Sequence, residues 1–100
     1  MRTNPFAEEE IGRYGGQYRD ESERVAERFF DEVSASLELL SQYPQIGEIV
    51  PGARVRRTAR RIPLRHFPFF IVYRDLPDYV EIMALAHTSR RPNYWRDRFH

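Results

Sequence analysis

The sequence predicts an α+β domain in which an N-terminal helical hairpin packs on a three- to four-stranded antiparallel sheet. Helical apolar spacing runs through the first forty residues, and two apolar strand-length runs fill much of the last third. A short polar turn, Asp75-Leu-Pro-Asp78, joins those runs as a hairpin. Helices followed by strands, instead of alternating with them, imply a helical layer laid on one sheet face. At 100 residues, with no internal repeat, the chain fits one domain over residues 1–100.

Each element has a local reason. Asn4 is suited to cap a first helix, and Pro5 suits the first helical position, where its missing N–H has no partner to lose. Glu8, Glu9 and Glu10 then lie where the helix dipole favours negative charge, and Ile11, Tyr14 and Tyr18 follow at helical spacing. Gly15-Gly16 predicts a bend or an early end, since each glycine costs about 1 kcal/mol against alanine. Asp20 or Ser22 caps a second helix from about Ser22 to Gln42. Its stripe is Val25, Phe29, Val33, Leu37 and Leu40, widened by Ala26 and Phe30. Tyr43-Pro44 ends it, because the residue before proline avoids the α region.

The basic half reads as sheet. Gln45 to Gly52 is a loop, and Arg54-Val-Arg-Arg-Thr58 alternates as a short strand. Phe67 to Arg74 is apolar on both faces, as a central strand should be. Strict alternation in Tyr79 to His87 puts Val80, Ile82, Ala84 and Ala86 on one face, suited to close helix packing. Glu81, Met83, Leu85 and His87 fall on the other. An aromatic stripe at helical spacing is core, so no chemistry is assigned to it.

Composition narrows function. There is no cysteine, which excludes disulfides, thiolate metal sites and thiol nucleophiles. His66 and His100 lack partners at ligand spacing, so neither a metal nor another cofactor is expected. No signal peptide is visible, and no apolar stretch nears the roughly 18 residues that span a bilayer. A cytoplasmic location with no membrane partner is the expectation. The small net charge hides an asymmetry: residues 1–50 sum to −6 and residues 51–100 to +7. All sixteen cations are Arg, whose planar fork grips carboxylate or phosphate at two points.

The order and spacing of several segments resemble the RelE/ParE toxin superfamily of bacterial type II toxin–antitoxin (plasmid stabilisation) systems. They are Pro5 to Ile11 with Tyr18, Ala26-Glu-Arg-Phe29, Leu40 to Gly47, Val55-Arg56, Phe67 to Arg74, and Ala86 to Trp95. The resemblance covers nearly the whole chain. The superfamily's usual first strand would have to fit into Met1 to Asn4, where it is short, altered or absent. The resemblance implies a growth-inhibiting toxin held inactive by a cognate antitoxin, whose flexible tail wraps around it.

Two activities occur among such toxins. RelE-like members cleave messenger RNA on the ribosome and commonly carry Arg three residues before the strand tyrosine. Here that tyrosine is Tyr73 and the position holds Phe70, whose ring cannot neutralise phosphate charge. An endonuclease reading would fall on His87 as base, with Arg65 or Arg74 as substitute cation; neither arginine stands at the matching position. ParE-like members bind DNA gyrase and need no catalytic constellation, which suits Phe70 and the Arg90-Arg91-Pro92 tail better. A toxin-like fold that serves only as an antitoxin partner is the third possibility. Candidate binding residues are Arg56, Arg57, Arg60 and Arg61 from an acid-free run that extends from Arg54 to Arg65, and Arg90, Arg91, Tyr94 and Trp95 from the tail. The bland alternatives are arginines paired to the acidic helices, Trp95 buried beneath a folded-back tail, and His87 as an anchor for that tail.

Overall fold

The computed structural model describes residues 1–51 and 59–99. Among them, two helices, α1 (Pro5–Glu21) and α2 (Glu23–Gln42), accompany five strands: β1 (Arg2–Thr3), β2 (Glu48–Ile49), β3 (Ala59–Pro63), β4 (Phe69–Asp75) and β5 (Val80–His87). A 3-10 turn at Arg96–Arg98 follows. The strand order is β1-β5-β4-β3-β2, antiparallel except for β1, which runs parallel to β5. The sheet thus exceeds the predicted three or four strands by two-residue edges, too short to leave a period in the sequence. The strand expected at Arg54–Thr58 lies outside the described residues; β3 begins at Ala59.

The caps form as expected. Asn4 accepts the Phe6 N–H at 2.9 Å with Pro5 beside it. Ser22 both ends α1, donating its N–H to the Tyr18 carbonyl, and starts α2, accepting the Val25 N–H. The expected break at Gly15-Gly16 does not occur: α1 is continuous. The reason is packing. A Cβ on Gly15 would stand 2.0 Å from the tip of the Phe30 ring, so Gly15 lets α2 lie directly on the α1 backbone. Gly15→Ala is therefore expected to destabilise by about 1–3 kcal/mol through overpacking. At Gly12 a Cβ meets nothing within 4 Å, so Gly12→Ala should stabilise by about 0.5–1 kcal/mol. Opposite shifts in thermal midpoint would bear this out; equal ones would not.

The helices cover one sheet face through Phe29, Val33, Leu40, Phe69, Ile71, Tyr73, Val80, Ile82 and Leu85. Tyr18, Phe29, Phe67 and Phe69 meet at ring-centroid distances of 5.0 to 6.5 Å, mostly edge to face. The opposite face buries Val50, Ala59, Val72, Met83, Ala84, Ala86 and Trp95.

That division corrects the alternation read into β5. Val72 pairs with Ala84 but Tyr73 with Ile82, so Met83 is an extra, bulged residue. The bulge changes the phase of the strand. Val80 and Ile82 face the helices before it and Leu85 after it, while Ala84 and Ala86 turn to the other face beneath the C-terminal tail.

A candidate arginine and aromatic binding cleft

On the face opposite the helices, a cleft of about 270 Å³ opens between β3, β4 and the segment after β5. Arg61, Phe70, Arg90, Arg91 and Tyr94 line it, with Trp95 at its base. Arg61 points there because it pairs with Val72, whose side chain faces the same way. Its guanidinium lies 4.3 Å from the Phe70 ring centroid, and its Nε donates to Glu48 at 2.6 Å. Arg90 stacks on Tyr94 at 4.0 Å. Each cation is thus held against a ring face, which restricts it without removing its outward donors.

The arrangement splits the residues proposed from sequence. Arg61, Arg90, Arg91, Tyr94 and Trp95 come together. Trp95 is only 3% exposed and packs with Phe99, so it supports the cleft from within the core and offers no free contact surface. Arg60 points to the helix side, donating to the Gly47 and Gln45 carbonyls at 2.7 and 3.3 Å. Arg56 and Arg57 lie outside the described residues. Arg65 is exposed in the β3–β4 turn, away from the cleft, and Arg74 is bound to Glu81 by its Nε and Nη2 at 2.7 and 2.6 Å. His87 borders the cleft, but its ring packs on Tyr14 and Phe69 from the helix side. Its Nδ1 accepts the Ser89 N–H at 3.0 Å and stands 2.7 Å from the Ser89 hydroxyl, tying down the turn that leads into the tail.

Two important residues escaped the sequence reading. Glu10, 3% exposed, is the buried charged side chain among the described residues. Its Oε1 accepts from Arg98 at 2.7 Å and from the Leu85 N–H at 3.2 Å. Its Oε2 accepts from the Tyr94 hydroxyl at 2.5 Å and from Arg98 at 3.0 Å. Arg98 also donates to the Met83 carbonyl at 3.0 Å and sits between the Phe6 and Tyr94 rings. The place is set by β1: among the described residues it pairs with Glu81 and Ile82, and no described strand pairs with that edge of β5 beyond them. There the backbone of Met83 and Leu85 is satisfied by side chains from α1 and the tail. A signal was present in the sequence. Glu10 shares a helical face with Ala7 and Tyr14, so it falls on a buried stripe and demands a cation; nothing local indicates that the cation is Arg98.

Burial acts to lower the pKa of Arg98, but the hydrogen bond and charge of Glu10 outweigh it and hold the proton more tightly than usual. Burial first, then Glu10, pushes the Tyr94 phenol well above the ordinary tyrosine range, so it remains a donor. This has a consequence at high pH. The folded chain keeps a proton that the unfolded chain releases near pH ~10. The stabilisation is complete below that value and is lost as pH rises toward the folded one. Unfolding free energy should therefore fall with pH above about 10, and Tyr94→Phe should flatten that fall. Equal alkaline slopes for the two proteins would contradict the assignment.

The fold is a sheet backed by two helices on one face, with guanidinium and ring groups gathered around a cleft on the other. The chain belongs to the ParE toxin family of type II toxin–antitoxin systems: the family described as "ParE toxin of type II toxin-antitoxin system, parDE" matches residues 2–92. Membership implies an antitoxin as partner. A comparison with curated proteins finds no match. No described helix is long and apolar enough to cross a membrane.

Proposed function

We propose that this toxin restrains growth in the cytoplasm by binding DNA gyrase through the arginine and aromatic cleft, and that a cognate antitoxin prevents the encounter. One observation carries the reading. The position where an RNA-cleaving relative would need a phosphate-neutralising cation holds Phe70, and that ring serves as a platform for Arg61. The cleft supplies cations and apolar ring surface, a composition suited to interface anchoring. No carboxylate side chain among the described residues lines it, and the imidazole at its border has one nitrogen engaged by Ser89. Acid–base chemistry needs placed proton carriers; binding does not.

The test uses purified gyrase and supercoiled DNA. Adding the chain should accumulate cleaved DNA trapped on the enzyme, and adding the antitoxin first should prevent it. Ribosome-dependent cleavage of a messenger, with gyrase unaffected, would replace this reading with the endonuclease one. Harmless expression in a host without antitoxin would favour a non-toxic partner protein.

A further inference from the structure

The family match ends at residue 92, yet the tail side chains that brace the cleft's outer wall, Tyr94 and Arg98, lie beyond it. We infer that Glu10 is a positioning residue for the cleft: it does not line the cleft, but through Tyr94 and Arg98 it sets where residues 90–95 and the Arg90 guanidinium stand. The consequence for target binding rests on the function proposed above; the geometry does not.

Glu10 projects from α1, on the helix side, past the open edge of β5, and grips a tail that covers the other face. A forked carboxylate–arginine pair plus a phenol donor fixes orientation as well as distance. The Tyr94 ring is therefore held at its hydroxyl end by Glu10, while its face carries Arg90 at 4.0 Å. The turn between them is tight: Asn93 has φ 62°, a left-handed conformation that asparagine tolerates better than most residues. A wall built on such a turn, and packed on the sheet chiefly by Trp95, has its outer half placed by what holds Tyr94. Gripping α1 and β5 together, Glu10 sets the cleft wall relative to the sheet that carries Arg61 and Phe70.

The experiment compares wild type with Glu10→Gln, and with Glu9→Gln as a control that breaks only an exposed pair to Arg13 on the same helix. In the isolated wild-type chain, NMR resonances of the Arg90 side chain should be shifted upfield by the Tyr94 ring. Glu10→Gln should return them toward ordinary arginine positions while the amides of β3 and β4 stay put; Glu9→Gln should change neither. Should Glu10→Gln fail to fold, Tyr94→Phe, which keeps the ring and removes the one hydroxyl, gives the same test. Unmoved Arg90 resonances in the folded variant overturn the inference.

With gyrase, Glu10→Gln should weaken binding at least about tenfold, and adding it to Arg90→Ala should weaken binding no further, because coupled residues are not additive. Additive losses overturn the positioning role, as does a loss that only tracks the unfolded fraction. If the wild-type chain does not bind gyrase, the gyrase reading fails by itself and the Arg90 resonances still decide the role of Glu10.

Discussion

Replacing Arg98 with alanine is expected to lower stability by about 3–5 kcal/mol, the usual effect of removing one partner of a buried ion pair. The Glu10 carboxylate would be left in a nearly water-free site with its fork partner gone. The Met83 carbonyl would lose a donor as well. For a domain of this size that corresponds to about 12–40 °C in thermal midpoint, and it approaches the whole stability of a small fold. Urea unfolding followed by far-UV circular dichroism measures it; a loss below about 1 kcal/mol would mean that the site admits water. Substituting both partners, Glu10→Leu with Arg98→Met, should recover much of the loss, since a buried pair is itself expensive to desolvate. Recovery should stop short of wild type. Leu85 and Met83 would then have unpartnered backbone groups at the β5 edge, each at about 1–3 kcal/mol.

The second large effect concerns the cleft. If the cleft binds gyrase as proposed, changing Arg61, Arg90 and Arg91 together to alanine is expected to weaken that binding by about 100-fold or more, since a few anchors dominate most interfaces. The fold should survive. The Arg61 link to Glu48 is at the surface, and exposed pairs contribute about 0–1 kcal/mol. Arg90 and Arg91 are exposed and follow the last strand. Loss of trapped DNA with an unchanged unfolding curve would assign the effect to recognition. Full activity in the triple variant would rule out the cleft as the proposed gyrase contact.

Local causes of this fold can be read from the sequence, and long-range ones cannot. The caps at Asn4 and Ser22, the α2 stripe and the β4–β5 hairpin were legible because each follows from neighbours a few residues apart. By its own propensity Gly15 is a weakness in the helix; Phe30, fifteen positions on, occupies the space that a Cβ there would need. Met83 breaks the alternation because a bulge carries no mark within the apolar run Ile82–Ala86, so Ala84 and Leu85 take faces opposite to those the alternation predicts. Composition points equally to Arg60, Arg61, Arg90, Arg91 and Tyr94, but Arg60, one residue from Arg61, caps a loop on the opposite side of the sheet.

By itself, then, the order of residues determined the helical hairpin, the central ribbon, the bipolar charge and the family resemblance, all of which depend on periodicity and short spacing. The folded chain alone decided which arginines share a surface, that Trp95 is core, and that Glu10 meets Arg98. The physical reason is that a strand's phase and a buried carboxylate's partner are fixed by segments far apart in sequence, which become neighbours only once the sheet edge and the tail have closed together.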